Sequence, residues 1–305
     1  MEIQSASVVV PTHNGCVNKC KFCVSRTHSN LYEDRISKST EFKWFKSGEF
    51  WKLKPSEYSV IFKDYKKRLQ FARNNGCNVV ILTGTGEPIQ DIPFIDFFMK
   101  INSLLDTPFE NIEIQTTGVL LNDDILSHFR NIGITTIAFS ISNIFDNERN
   151  LELIGCNEKL TFDVYDIIKL VKKYDFNLRL SYNLVNDYDN YTVDQVLNKS
   201  KELGADQVTF RKLYKSNNNS EIDKWIEDNA CKHFYNDVID YIKKLELKHI
   251  AVLPFGAKIY DINEMSICID DDCMSEIAKD TYKYIILREN ARAYYLWHTK
   301  ASLIF

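Results

Sequence analysis

Six short apolar runs, each followed by an amphipathic stretch or a long connection, constrain the fold of this chain more than any other feature. The runs are SVVVPTHN (7–14), NVVILTGTGEP (78–88), NIEIQTTG (111–118), TTIAFSISN (135–143), NLRLSYNLVN (177–186) and DQVTFRKLY (206–214). Each is rich in Val, Ile, Leu, Thr or Phe and ends in a polar or glycine-containing turn, as buried parallel strands do. Between them, SEYSVIFKDYKKRLQFARNNG (56–76) sets Tyr58, Phe62, Tyr65, Leu69 and Ala72 at helical spacing and stops on Gly76. The stretches 92–106, 122–133, 160–175 and 192–204 behave likewise. Strand, helix, strand, helix in that order predicts parallel strands with right-handed crossovers. A partial (β/α)6 barrel of the TIM type suits six such units better than an open doubly wound sheet. In such barrels chemistry gathers at the carboxyl ends of the strands. The cysteine-rich loop, TGTGEP, QTTG, SISN, YNLVN and FRKLY all fall there.

Two segments depart from the repeat. Residues 24–54 read as a long insert carrying Trp44 and Trp51, beside the first strand end. Residues 1–214, with that insert, are expected to form the core barrel. Residues 215–305 are expected to form a small C-terminal α+β extension that closes its lower or lateral opening. There HFYNDVIDYIKKL (233–245) reads as a helix. MSICIDDDCMSE (265–276) reads as a hairpin turning on the Asp run, and KYIILRENARAYYLWH (283–298) as one turning at Glu289–Asn290.

Bulk properties exclude several classes. The formal net charge of −4 offers no global basic field for nucleic acid or anionic lipid. No apolar run approaches the ~20 residues of a membrane span. The N-terminus has neither the basic start nor the apolar length of a signal peptide. A cytoplasmic protein is expected, in which clustered thiols read as metal ligands or catalytic groups rather than disulfides.

Cys16, Cys20 and Cys23 stand at C-x3-C-x2-C spacing within NGCVNKCKFCVSRTH (14–28). Three thiolates suit a soft metal centre. Zinc would need a fourth ligand, for which His13 or His28 is available. An iron–sulfur cluster takes up to four cysteines. With three, one iron keeps a coordination position open for a second molecule.

This spacing, on a loop directly after a first strand, resembles the signature of the radical S-adenosylmethionine (radical SAM) family. In that family the amino and carboxylate groups of SAM chelate the open iron of a [4Fe–4S] cluster. The resemblance spans roughly residues 7–214 and implies further roles. Phe22 stands where the family has an aromatic near the adenine. Gly84-Thr85-Gly86-Glu87-Pro88 looks like the Gly-Gly-Glu-Pro motif that holds the SAM ammonium. Ser140 and Ser142, with Asn143, look like the polar ribose-binding segment. Arg179 to Asn183 lies where relatives contact the carboxylate or ribose, and Arg211 is a second carboxylate candidate. Tyr182 and Asn183 point to opposite faces of a strand, so Asn183 shares its face with Ser181 and Arg179.

The other cysteines are scattered. Cys77, Cys156, Cys231, Cys268 and Cys273 supply too few grouped ligands for a second cluster. Cys273 is a candidate hydrogen-atom donor to a substrate radical, against the plainer reading of a small buried residue. Tyr294, Tyr295 and Trp297 read as a hairpin packing face, with one ring available to line a pocket.

The resemblance implies reductive cleavage of SAM to methionine and a 5′-deoxyadenosyl radical, which takes a hydrogen atom from the substrate. The electron would come from a one-electron carrier such as flavodoxin or ferredoxin. Peptide-modifying relatives often carry an N-terminal leader-binding domain, and about fifteen residues before the cysteines are too few for one. RNA-modifying relatives often carry a basic domain, and none is evident. A small-molecule or nucleotide-like substrate is therefore expected. Two alternatives stay open. One is the same chemistry on a peptide or a nucleic acid, the latter using a basic patch of Arg26, Arg35, Lys38, Lys43 and Lys46. The other is a zinc-stabilised, non-catalytic α/β binding protein.

Overall fold

The computed structural model describes residues 2–12, 15–27, 55–216, 218–254, 256–270, 280–289 and 291–305. The chain opens with β1 (Glu2–Val9), which leads through the cysteine loop into the single turn α1 (Val24–Thr27). Then come α2 (Pro55–Asn74), β2 (Val79–Thr83), α3 (Ile92–Asn102), β3 (Asn111–Thr116), α4 (Asp123–Ile132) and β4 (Thr136–Ile141). Next are α5 (Asn147–Ile154), α6 (Val164–Lys173), β5 (Asn177–Asn183), α7 (Val193–Glu202) and β6 (Gln207–Arg211). All six apolar runs form strands. Local chemistry sets the helix ends. The Asn122 side chain accepts from the Ile125 N–H at the start of α4, and Gly133 closes that helix at φ +98°. Thr192 and Gln195 form a reciprocal capping box on α7.

Beyond β6 lie α8 (Glu221–Asn229), α9 (Phe234–Lys244), β7 (His249–Val252), β8 (Lys258–Ile262), β9 (Met265–Asp270), β10 (Thr281–Leu287) and β11 (Ala293–Tyr294). One sheet runs in the order β11-β10-β1-β2-β3-β4-β5-β6-β9-β8-β7. From β10 to β9 every neighbouring pair is parallel. The C-terminal strands thus continue the barrel sheet on both edges. β10 covers the backbone edge of β1, and β9 covers that of β6, leaving neither as an open pairing edge. The sheet stays unclosed between them, an incomplete barrel as the alternation of runs and helices predicts.

The C-terminal hairpins come out differently from each other. β10 and β11 pair antiparallel through Ile286–Tyr294 and Leu287–Ala293, as expected. The hairpin expected within 265–276 has its second half, 271–276, outside the described residues, and its first half is β9. β9 already has β6 on one side and β8 on the other, so both its edges are taken. Its hairpin partner precedes it, across a two-residue turn at Asn263 and Glu264, whose φ values of +52° and +71° suit the twist of paired strands. Two short helices, α5 and α8, also escaped the sequence pattern.

The two faces of the sheet differ in chemistry. Outward side chains such as Val8, Leu82, Ile114, Phe139, Leu180, Tyr182 and Phe210 join the helices in one fully buried apolar core. Tyr182 spends its hydroxyl on the Ser200 Oγ at 2.6 Å, as a buried phenol must. The inner face mixes polar with apolar groups: Ser7, Glu113, Gln115, Arg179, Thr209 and Arg211 line cavities inside the curve beside Ile81 and Tyr284. Among the described residues no helix is long and apolar enough to cross a membrane.

Phe210 joins the barrel to the C-terminal helices, with ring centroids 5.4 Å from Tyr182 and 5.9 Å from Phe234. Phe210→Ala should cost about 3–5 kcal/mol of unfolding free energy in urea titrations. A loss below about 1 kcal/mol would show that this junction carries little of the core's stability.

Candidate active site

The cysteine loop is held from several sides by parts of the chain far away in sequence. Gln90, just after TGTGEP, clamps it in two places. Its Oε1 accepts from Val17 N–H and its Nε2 donates to the Gly15 carbonyl, each at 3.0 Å. Asn18 donates its Nδ2 to Thr117 Oγ1 at 2.8 Å. On the other side the loop sits on the C-terminus of α5. Lys19 N–H donates to the Ile154 and Gly155 carbonyls at 3.1 Å, and Lys21 N–H to the Leu153 carbonyl at 3.0 Å. These carbonyls are among those a helix C-terminus leaves unpaired. Gly155 is required there. Its φ is +56°, and a Cβ would lie 2.5 Å from the Lys19 oxygen.

The three cysteines are free and partly buried. Burial, followed by the neighbouring charges of Cys23 and Cys16, raises the Cys20 thiol far above its usual range. Burial also raises Cys16, although the Asn18 N–H donating to its Sγ at 3.4 Å opposes the rise. Such thiols resist becoming thiolates together unless a cationic centre sits among them. Among the described residues no three His, Cys, Asp or Glu side chains converge on a point for a single metal ion. A polynuclear cluster does not require that convergence, because each thiolate meets a different metal.

Glu87 supplies the second half of the site. It is 3 % exposed. Its Oε2 accepts from both the N–H and the hydroxyl of Thr117 at 3.0 Å. Its Oε1 has no hydrogen-bond partner among the described residues. Burial raises its pKa, with the nearby Thr116 hydroxyl and the Thr117 hydrogen bonds opposing. Leaving a buried acceptor unpaired costs about 1–3 kcal/mol, more when it is charged. An ammonium group at Oε1 would remove that cost and favour the charged form. This orphaned oxygen and the three nearby thiols fit SAM and an iron–sulfur cluster.

Gly84 and Gly86 are demanded by packing. A Cβ on Gly84 would lie 2.6 Å from the Val10 oxygen, and one on Gly86 would lie 2.6 Å from Thr12 Cγ2. Their absence of side chains lets TGTGEP press against the segment that enters the cysteine loop.

The remaining sequence candidates are distributed as follows. Ser140, Ser181, Thr209 and Cys268 lie at one level across β4, β5, β6 and β9. Ser181 Oγ and Ser142 Oγ are buried and have no partner among the described residues. Asn183 is half-buried beside Arg211 in the register of β5 and β6. Asn143 is consumed locally. Its Oδ1 accepts from the Phe145 and Asp146 N–H groups, and its Nδ2 donates to Asp187. Phe22 packs beside Trp225 on α8, with centroids 6.1 Å apart. His13, His28, Cys273 and the insert from residue 28 to 54 lie outside the described residues.

Two cavities share Ile81, Arg211 and Tyr284. The larger, about 580 Å³, lies inside the curve toward the amino-terminal ends of the strands, where Val79, Asn111, Thr136, Asn177 and Gln207 line it, and includes Cys268 in its wall. The smaller, about 180 Å³, lies beside Gly84, Thr85 and Ser25. Trp297 lines it, while Tyr295 packs on Tyr282 at 5.5 Å. Gln90, Asn18, Thr117 and the α5 terminus were not singled out by sequence. Thr117 and Asn18 lie in segments the sequence placed at the strand ends, but their partners lie tens of residues away and no local pattern marks which side chains pair.

Residues 10–198, more than half of the chain, match the Radical SAM superfamily. The chain belongs to the radical SAM superfamily. It is an enzyme of that group, with S-adenosylmethionine and an iron–sulfur cluster as cofactors. The non-catalytic zinc alternative is thereby set aside. A curated relative, an uncharacterized protein of Methanocaldococcus jannaschii, is 28 % identical over 158 residues, covering 50 % of this chain and 51 % of that protein. The probable dual-specificity RNA methyltransferase RlmN of Finegoldia magna is 26 % identical over 215 residues, covering 68 % of this chain and 50 % of that protein. The chain spans about half the length or less of the curated relatives it matches. Among solved structures, SuiB of Streptococcus suis bound to S-adenosylmethionine aligns with a TM-score of 0.56 at 14 % identity, covering 96 % of this chain and 60 % of that one. The anSMEcpe structure with bound AdoMet and a peptide aligns at 0.55 and 13 %, covering 99 % and 77 %. At these identities the likeness concerns the fold.

The α5 clamp leads to a direct test. Gly155→Ala should displace the Lys19–Lys21 backbone and cut the iron and sulfide taken up on anaerobic reconstitution severalfold, with far-ultraviolet circular dichroism retained. Full iron loading of that variant would mean the clamp is dispensable for the loop.

Proposed function

We propose that Cys16, Cys20 and Cys23 ligate three irons of a [4Fe–4S] cluster and that SAM takes the fourth. When bound, the cluster and SAM supply one-electron cleavage of the sulfonium and abstraction of a hydrogen atom from the substrate. The chain's own residues bind, orient and exclude water. Glu87 Oε1 accepts from the SAM ammonium, and its burial makes the carboxylate depend on that cation. The backbone of Gly84 and Gly86 is assigned to the SAM amino end, held close to the cysteine loop because both glycines pack against Val10 and Thr12. Ser140, Ser142, Asn183 and Arg211 are assigned to the ribose and carboxylate, and Phe22 to the adenine. The orphaned Ser142 Oγ supports the first of these roles. The single observation that carries the reading is the unpartnered Glu87 oxygen in the motif beside the three-thiol loop.

The substrate is assigned to the interior of the sheet, where the smaller cavity beside Gly84 meets the larger one at Ile81, Arg211 and Tyr284, and mixed apolar and polar walls suit a small molecule or a nucleotide-like one. The precursor peptide of SuiB and the RNA of RlmN belong to those proteins. Lys19, Lys21 and Arg26 are exposed around the cysteine loop. That positive face suits docking of an acidic one-electron carrier such as flavodoxin or ferredoxin.

Anaerobic reconstitution followed by dithionite and SAM should release 5′-deoxyadenosine from the wild type and none from Cys20→Ala. A wild type that loads cluster yet never cleaves SAM, across several reductants, would overturn the assignment. Separately, Glu87→Gln should weaken SAM binding by roughly ten- to a hundredfold in calorimetry, as loss of a charge-assisted hydrogen bond implies. Unchanged affinity would remove Glu87 from the SAM site.

A further inference from the structure

A buried ion pair spans the interior of the sheet. Arg179 on β5 reaches across β4 to Glu113 on β3, its Nη2 donating to Glu113 Oε1. The register sets Gln115, Ala138 and Arg179 side by side, with Glu113 beside Thr136 two residues earlier. Ala138 therefore stands between the two ends of the pair. Its single methyl leaves the guanidinium a path that a larger side chain would block.

The pair is incompletely used. Gln115 donates its Nε2 at 3.1 Å to the same Glu113 oxygen that Arg179 takes. Glu113 Oε2 and Arg179 Nη1 have no hydrogen-bond partner among the described residues. Neither atom is sealed within the protein, and both residues line the large cavity. The side chains are 6 % and 15 % exposed. Gln115 lines the smaller cavity, so the pair stands where the two cavities approach each other.

A buried ion pair is a poor stabiliser, because desolvation offsets most of its attraction. Apolar side chains would fill this interior at less cost. A pair that keeps one acceptor and one donor toward a cavity of about 580 Å³ is better explained by what the cavity holds. The charges within the pair cancel. A ligand carboxylate there would be repelled by Glu113, and a ligand ammonium by Arg179. A neutral group offering a donor next to an acceptor satisfies both. Arg211 and Lys283 line the same cavity, and each is engaged by other groups.

We propose that Glu113 and Arg179 anchor the substrate of this enzyme, and that the substrate presents to them a neutral donor–acceptor edge of the kind found on a carboxamide or a nucleobase. This rests on the radical SAM reading above, with the substrate inside the sheet. Ala138 acts as a positioning residue that permits the pair to form.

The test is anaerobic calorimetry on the reconstituted holoenzyme with SAM present and no reductant. The neutral probes are cytidine, adenosine, guanosine, nicotinamide and benzamide. The charged probes are benzoate and putrescine. At least one neutral probe should bind the wild type, and better than either charged probe. The nucleosides and the simple amides then distinguish the two sources of the edge. Glu113→Gln should weaken that binding roughly tenfold or more. The E113Q/R179Q double variant removes both charges and leaves a neutral polar side chain at each position, and should show the same loss while melting as a folded protein. Ala138→Leu should weaken binding too, by blocking the reach of Arg179. The proposal is overturned if no neutral probe binds the wild type, if a charged probe binds better, or if the folded double variant binds as the wild type does. Because no SAM is cleaved in this experiment, its failure removes the anchor and leaves the SAM assignment to its own test.

Discussion

The site depends on how a loop that contributes three thiols is kept in one shape. Such a loop has no regular structure of its own, and its backbone groups must be satisfied from outside. The carbonyls at the C-terminus of α5 accept two of its N–H groups. Gln90 serves one N–H and one carbonyl. Asn18, Thr117 and Glu87 form a chain of hydrogen bonds from the loop to the ends of β2 and β3. The loop is thus tied both to the TGTGEP turn and to a helix on a later βα unit. Position of the thiols and position of the Glu87 carboxylate are set by one connected network. A preorganised site of this kind needs its supporting groups as much as its ligands.

The second organising feature is the contrast between the two faces of the sheet. Parallel strands covered by helices are usually apolar on both sides. Here only the outer face is. Phe139, Leu180 and Phe210 point outward into the core, whereas Glu113, Arg179, Thr209 and Arg211 alternate inward. Strand geometry makes this possible, since successive side chains point to opposite faces. A partly polar interior forgoes apolar burial that would otherwise stabilise the molecule. The fold recovers stability outside, where the aromatic cluster of Tyr182, Tyr188, Phe210 and Phe234 ties the barrel to the C-terminal helices.

The C-terminal segment extends the sheet on both edges and adds to the walls of both cavities. β10 brings Tyr284 and the segment after β11 brings Trp297 to the smaller cavity, while β9 brings Cys268 to the larger one. α8 brings Trp225 against Phe22 of the cysteine loop. Residues more than 200 positions apart therefore share one site.

Much was legible in the linear chain. Periodicity alone located the six strands and most of the helices between them, because burial on one face of a helix or strand leaves a repeating apolar pattern. The cysteine spacing and TGTGEP were legible because each is a local motif whose parts lie within a few residues. The parity of Tyr182 and Asn183 followed from strand geometry. The partners of those motifs were not legible. Gln90, Thr117, Gly155 and the Glu113–Arg179 pair act across 30 to 140 residues, and their sequence neighbourhoods look ordinary. The edges on which β9 and β10 pair were hidden for the same reason, since a short apolar strand carries no mark of which backbone it will meet. Sequence by itself determined the local periods and the chemistry of the thiols, which are properties of neighbouring residues. Only the tertiary structure decided which polar groups share the interior and which are left with an open valence, because that depends on strand register and on what stands opposite in space.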